Sequence, residues 1–227
     1  MTQAGPGMAD DDDAAPLDPA AVARIVAEQR ERVRSATDVD ARVLFGAWGA
    51  AWLLGFGLLW LAESGIASIG VGVALAGFVG LLVAAGGVTT WHLVARTRGI
   101  EGTSAVQGAM YGMTWFVAFA AVFALSAALQ RAGADGVIVT IVMTLVPCLV
   151  VAALYMAGGA LWGDRTQFAL GAVIGAVTVV AAFVGHPHML GVMAVAGGGG
   201  MLVAAGTDAV RRARRTRLQP GVPEVRA

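Results

Sequence analysis

The stretch from Val43 to Ala62 most constrains this chain, because it runs for twenty residues without a charged side chain and is long enough to cross a bilayer as one helix. Short polar segments separate five further apolar stretches. The mean hydropathy of +0.75 is that of a chain whose main solvent is lipid. The sequence therefore predicts an all-α, polytopic membrane protein, with spans at residues 43–62, 66–94, 106–129, 137–161, 168–184 and 189–209.

Consecutive spans pair into three predicted αα-hairpins, closed by polar turns at Glu63–Gly65, Asp135–Gly136 and Gly185–His188. A seven-residue match between Gly80–Gly86 and Gly200–Gly206 favours hairpins of common ancestry, arranged as parallel repeats. Chance resemblance is the alternative, because Leu, Val, Ala and Gly make up so much of the chain. The sequence leaves both interpretations open.

The residues before the first span are polar and acidic. Residues 1–17 are rich in Asp, Pro and small residues, which predicts a disordered cytoplasmic tail. Asp18 followed by Pro19 is typical of a helix start, and Val22 and Ile25 recur at helical spacing. We expect an amphipathic cytoplasmic helix over residues 18–36 that lies on the inner leaflet or the loops. A docking helix for a partner protein is the alternative.

The distribution of arginine predicts the orientation in the membrane. The segment before the first span, the loop at residues 96–101, Arg165 and the C-terminal segment share one side, whereas the opposite loops contain only Arg131. We expect the arginine-rich side and both termini to be cytoplasmic. The basic tail at residues 211–227 would face acidic lipid headgroups, and nucleic acid is not an expected partner. The arginines clustered at the start of this tail are Arg211, Arg212, Arg214, Arg215 and Arg217.

Small residues at four-residue spacing predict close contacts between helices in lipid. On the second span the stripe includes Gly80, which we expect to lie at a packed contact. The run Gly197–Gly200 is an expected soft point, because consecutive glycines weaken a helix. The four stripes are Ala47, Ala51 and Gly55; Gly72, Ala76, Gly80 and Ala84; Gly171 and Gly175; and Ala196, Gly200 and Ala204.

Pro147 lies inside the fourth span and removes one backbone hydrogen bond there. Polar side chains on the same helix and on the third span suggest a substrate path beside the freed carbonyl, although prolines accompanied by threonines are also common in ordinary membrane helices. The residues of this candidate path are Gln107, Tyr111, Thr140, Thr144, Pro147, Cys148 and Tyr155.

The ionisable residues of the spans lie at their ends. His92 and Asp208 form a candidate pair at the cytoplasmic rim, and the alternative is that water or nearby arginines satisfy each of them separately. His186 and His188 are interpreted as part of a turn, because two histidines alone do not define a metal site. No catalytic motif, metal site or cofactor site is predicted.

Two segments resemble a known group of proteins. RVLFGAWGAAWLLGFGLLWL at Arg42–Leu61 and GGALWGDRTQFALG at Gly158–Gly171 are similar to uncharacterised actinobacterial six-helix integral membrane proteins, often loosely labelled transporter or ABC transporter permease. The resemblance implies transport in a bacterial plasma membrane and identifies no functional residue. Permeases of the ABC exporter type also place an amphipathic helix before six spans, but they usually carry longer external segments between the last spans than this chain does.

We therefore expect the membrane-spanning part of a small-molecule transporter or export system, with an ATPase subunit as a candidate partner. The alternative is a non-transporting scaffold or sensor that binds a cytoplasmic regulator, and a homo-oligomer is compatible with either. An enzyme is not expected. The lack of a charge in the middle of any span argues against a proton-driven pump.

Cysteine labelling tests this topology. A cysteine at Glu63 or His188 should react with an impermeant reagent in intact cells, because both positions are predicted to be external. A cysteine at Arg98 or Arg165 should react only after permeabilisation. The reverse labelling pattern would show that the predicted orientation is inverted.

Overall fold

The computed structural model describes residue 18 and residues 20–25, 41–97 and 103–218, with backbone alone at 41, 96–97, 103–105 and 211–218. The chain divides into two compact units between Asp38 and Val39. In the first, α1 covers residues 20–25, and the Asp18 carboxylate accepts a hydrogen bond from the Ala20 backbone N–H at 3.0 Å. The predicted helix start is therefore present. The predicted tail at 1–17, the rest of the amphipathic helix to residue 36 and residues 219–227 lie outside the described residues.

The second unit contains six long helices that are apolar enough to cross a membrane. They confirm the predicted six-span, all-α architecture preceded by a short helix, and the protein is an integral membrane protein. The sixth span is interrupted by a π-helical segment. The helices are α2 (Ala41–Glu63), α3 (Val71–Thr97), α4 (Thr103–Arg131), α5 (Gly136–Trp162), α6 (Arg165–Val184) and the sixth span, which consists of α7 (His188–Val192), the π-helical segment (Met193–Gly198) and α8 (Gly199–Leu218).

Two helix boundaries differ from the predicted ones by more than three residues. The second span begins at Val71 rather than at residue 66, because the chain turns at Gly65, whose φ is +67°, and Ala67 N–H bonds back to the Leu61 carbonyl at 3.2 Å. The last helix continues to Leu218 instead of ending at residue 209. The arginine-rich segment is therefore helical as far as residue 218.

We name the two ends of the bundle after residues that the sequence places there. We call the end where α2, α4 and α6 begin and α3, α5 and α8 stop the arginine end. The opposite end, which holds the α2–α3, α4–α5 and α6–α7 turns, is the histidine end.

Four of the six spans pack in series around the buried core. On one side α2 packs against the sixth span, which packs against α6, and α6 has its most extensive interface with α5. At the two ends of this series, the rings of Phe45 on α2 and Tyr155 on α5 contact each other with their centres 6.5 Å apart. The other two helices are peripheral, since α3 is packed on α2 and α4 on α5. Only 17% and 11% of their most apolar windows are buried, against 39% for α2 and the sixth span.

Glycines allow the core helices to approach closely. An alanine Cβ at Gly171 of α6 would lie 2.7 Å from the Ala152 carbonyl oxygen of α5. At Gly55 it would overlap the Phe78 ring of α3, and at Gly198 it would overlap the Leu53 backbone of α2. The stripes expected on the first and fifth spans therefore do lie at helix contacts. Helices in lipid gain stability from such close packing.

The prediction that the stripe on the second span packs against other helices of the chain is wrong. Gly72, Ala76, Gly80 and Ala84 are all exposed, and a Cβ at Gly80 would meet nothing within 4 Å. The buried face of α3 instead contains Ala74, Phe78, Ala85 and His92. At 3.6 residues per turn, a strict four-residue stripe drifts around the helix, and here the large Phe78 fills the contact opposite Gly55. Ala196 on the sixth span is likewise exposed.

The glycine contacts give a paired prediction for stability. Gly171→Ala should destabilise the folded protein by about 1–3 kcal/mol, because its Cβ would press on backbone atoms of α5 that cannot easily move. Gly80→Ala should leave stability unchanged or slightly raised, since its Cβ enters open space. Thermal unfolding in detergent measures both. Equal melting temperatures for the two variants would contradict the packing described for α5 and α6.

Candidate functional site: an aromatic row at the arginine end

The site begins with the tight turn between α5 and α6. Gly163 ends α5 with φ +67° and ψ +23°, a left-handed conformation that suits glycine. The next residue, Asp164, caps α6, because its carboxylate oxygen accepts hydrogen bonds from the backbone N–H groups of Thr166 at 2.8 Å and Gln167 at 3.1 Å. An aspartate directly before an apolar helix is the sequence signal for such a cap. The turn fixes Gln167 beside the last turns of α5.

A polar contact links α4 to this corner. The Tyr111 hydroxyl of α4 donates a 2.6 Å hydrogen bond to the Leu154 carbonyl of α5. A Cβ at Gly158 would lie 2.6 Å from that hydroxyl and 2.7 Å from Gln167 Nε2. Gly158 therefore leaves the space that both polar groups occupy. We call Tyr111, Leu154, Gly158 and Gln167 the tyrosine node.

Aromatic rings extend from the tyrosine node towards the core. Trp162 meets Tyr111 edge to face with ring centres 4.8 Å apart, and Tyr111 meets Trp115 at 6.2 Å. Trp115 contacts Tyr155 at 5.8 Å, and Tyr155 contacts Phe45 at 6.5 Å. These five rings form the aromatic row, which connects α4, α5 and α2. Phe119 extends it by stacking on Trp115 at 6.1 Å.

The structure divides the residues of the predicted substrate path. Tyr111 and Tyr155 belong to the aromatic row. Thr144 and Cys148 are only 4% and 1% exposed, and Cys148 is part of the apolar core. Thr140 and Pro147 are partly buried, and α5 continues as a helix through Pro147.

Those α5 positions do not gather around one point. Thr140 and Tyr155 are separated by roughly 22 Å along the helix, at a rise of 1.5 Å per residue. Gln107 is exposed at the start of α4, one turn before Tyr111, and it is Gln167 that contributes an amide to the tyrosine node. Sequence reasoning missed Gln167 and Gly158 because their contact with Tyr111 depends on how three helices pack.

A second polar contact at the arginine end joins α2 to α3. Trp48 Nε1 donates to Thr89 Oγ1 at 2.9 Å, and Thr89 Oγ1 donates to the Ala85 carbonyl at 2.8 Å. His92, one turn further along α3, is buried, while Asp208 of α8 is partly buried. Neither His92 nor Asp208 lacks an interaction partner. That the two pair with each other stays a hypothesis.

At the histidine end, side chains connect the α2–α3 turn with the α6–α7 turn. Trp60 Nε1 donates to His188 Nδ1 at 3.3 Å, and His186 Nε2 lies 3.4 Å from Glu63 Oε2. Across the described ranges, no group of three His, Cys, Asp or Glu side chains is placed to hold a metal ion. These contacts tie the first and third hairpins together.

The chemistry of the aromatic row follows from its side chains. It presents ring faces and edges, with two hydroxyls and one amide close to them, and none of its rings carries a formal charge. Such a surface suits an apolar or planar molecule, which it can contact by stacking, with a single polar group held by a hydrogen bond.

A double-mutant cycle tests the tyrosine node. Tyr111→Phe removes the hydrogen bond to Leu154 and should cost about 1 kcal/mol of stability. Gly158→Ala should break the same hydrogen bond by displacing the hydroxyl, so the double variant should lose less than the sum of the two single losses. Thr114→Val, which removes a hydroxyl bonded within α4 itself, is the control. Additive losses in thermal unfolding would show that Gly158 and Tyr111 act independently.

Comparison with known proteins adds no relative to these observations: no protein-family model, no curated protein and no solved structure matches the chain.

Proposed function

We propose that the protein is the membrane-spanning part of a transporter or export system for small apolar or aromatic molecules. The observation that carries this proposal is the aromatic row, which runs from the peripheral helix α4 across Tyr155 of α5 to Phe45 of α2. We further propose a bacterial plasma membrane as its location, with the arginine end and both termini in the cytoplasm.

The packing of α4 supports a path beside the aromatic row. α4 is packed on α5, and only 11% of its most apolar window is buried. A displacement of α4 would separate Trp115 from Tyr155 of α5 and expose the ring surfaces between them, without breaking the interfaces among the four core helices. A molecule soluble in lipid would then reach the rings laterally from the bilayer.

The charge pattern limits the kind of solute and the source of energy. The ionisable side chains of the spans lie at the helix ends, so the middle of the bundle offers no charged partner to an ion. This favours an uncharged or weakly polar solute. A separate ATPase subunit would supply energy without a proton relay inside the spans, and the extension of α8 to Leu218 offers such a partner a helical surface at the arginine end.

A scaffold or sensor is the second candidate function. It is favoured by the outward face of α3, where Gly72, Ala76, Gly80 and Ala84 are exposed. Small residues on an exposed face allow another membrane helix to approach closely. In that case the cytoplasmic segments would bind a regulator, and the aromatic row would serve only to pack α4 on the core.

Crosslinking in native membranes, followed by purification through a C-terminal tag, separates the two functions. Recovery of an ATPase subunit is the expected result for a permease. Recovery of a soluble regulator, together with no solute flux, would overturn the transport proposal.

Flux measurements in vesicles test the role of the aromatic row. Trp115→Ala should reduce the flux of a planar apolar dye roughly fivefold, because one stacking partner is lost. Trp91→Ala is the matched control, since Trp91 is 72% exposed on α3, away from the row. Equal flux in the two variants would show that the aromatic row does not contact the solute.

A further inference from the structure

The sixth span changes its helical form in its first half. Residues Met193–Gly198 form a π-helical segment, which separates α7 from α8. A π-helical turn holds more residues than an α-helical turn, and such segments are frequent at functional positions. The run of four glycines from Gly197 to Gly200 begins inside this segment and continues into α8.

The backbone hydrogen bonds are not regular where the π-helical segment ends. The Gly199 N–H donates to the carbonyls of both Ala194 and Ala196, five and three residues earlier. A regular α-helix would direct that N–H to Val195, four residues earlier. Because the Gly199 N–H is already shared between two carbonyls, it can exchange one hydrogen bond for the other with little loss of free energy.

The two sides of this point differ in what their glycines meet, while Met201 of α8 is buried in the core. On the α7 side, Met189, Leu190 and Met193 are all 0% exposed. Gly197 faces Trp52, whose ring would lie 3.1 Å from an added Cβ, and Gly198 is pressed against the Leu53 backbone. The first part of the sixth span is therefore held firmly by the core.

On the α8 side, the glycines have no steric reason to lack a side chain. A Cβ at Gly199, Gly200 or Gly206 would meet nothing within 4 Å. Gly199 has φ −60° and ψ −41°, which any residue adopts. Alanine at these positions would favour the helix, so glycine here keeps the helix easy to bend.

We propose that the end of the π-helical segment, at Gly199 and Gly200, is a hinge, about which α8 moves relative to the firmly packed residues before it. The hinge combines a firmly packed side, a shared hydrogen bond and glycines that packing does not require. Motion of α8 would first displace α2, because the two helices are in close contact at Gly49. A Cβ at Gly49 would lie 3.0 Å from both the Gly198 carbonyl and the Leu202 side chain.

The motion also reaches the aromatic row. Phe45 lies one turn from Gly49 on α2 and contacts Tyr155. A displacement of α8 therefore shifts the α2 wall of the row and opens or closes it. This gating role rests on the proposed transport function, whereas the hinge itself does not.

The test uses a pair of alanine substitutions that packing tolerates. The double variant Gly199→Ala, Gly200→Ala should fold and melt at or above the wild-type temperature. In lipid nanodiscs, hydrogen exchange of the amides in Val195–Leu202 should be roughly tenfold slower than in the wild type, because two alanines raise the cost of local opening. The matched control is Gly80→Ala, Gly86→Ala in α3, whose added Cβ atoms also meet nothing within 4 Å.

Spin labels measure the motion directly. With Cys148 replaced by Ala, labels at Val203 of α8 and Val179 of α6, both at least half exposed, should give a broad or double distance distribution. The Gly199→Ala, Gly200→Ala variant should narrow it, and the Gly80→Ala, Gly86→Ala control should not. Labels at Leu54 and Val179, neither of them on α8, should give one narrow distance in all three proteins.

A narrow Val203–Val179 distance in the wild type, or unchanged exchange in the double variant, would overturn the hinge. Dye flux separates this result from the transport proposal. If the Val203–Val179 distance distribution narrows as expected in the double variant but the protein moves no solute, the hinge is supported and the transport function is contradicted. Wild-type flux in the Gly199→Ala, Gly200→Ala variant, despite a restricted hinge, would remove the gating role alone.

Discussion

Close backbone contact at glycines is the interaction on which the core of this protein depends. Lipid removes the usual hydrophobic drive that presses helices together, because a helix face is as well solvated by acyl chains as by another helix. What remains is close packing, and here Gly171 of α6 provides it against the α5 backbone, as Gly198 of the sixth span does against the α2 backbone. The backbone of each span satisfies its own hydrogen bonds, so these contacts decide which helices become neighbours.

The same constraint explains why two helices are peripheral. α3 presents its glycines outward and meets α2 through Phe78 and the Trp48–Thr89 hydrogen bond. α4 meets α5 through the tyrosine node and the aromatic row, where Gly158 makes room for a hydroxyl and an amide instead of a backbone. A helix that contacts its neighbour through side chains keeps more of its surface in lipid than a helix whose backbone lies against its neighbour. The molecule thus combines a tightly packed four-helix core with two helices held by aromatic and polar contacts.

The sixth span joins a firmly packed first part to the helix α8, for which we propose motion. Its first part is among the most buried portions of the described chain, and its last part begins with glycines that no neighbour requires. The π-helical segment lies between them, and its Gly198 lies against the Leu53 backbone of α2. Any change in α8 is therefore transmitted first to α2, the helix that α3, the sixth span and the aromatic row have in common.

By itself, the sequence determined the six spans, their approximate limits and the helix start at Asp18, because these depend on local apolar length and capping. Tertiary structure decided which small residues form contacts: Gly171 does, whereas Gly80, with the same spacing pattern, faces outward. It also decided the site, since Tyr111 and Tyr155 came together with Trp115 and Gln167, while Thr144 and Cys148 were buried elsewhere on α5. The physical reason is that spacing along one helix defines its faces, but only the rotation and order of the packed helices determine what each face meets.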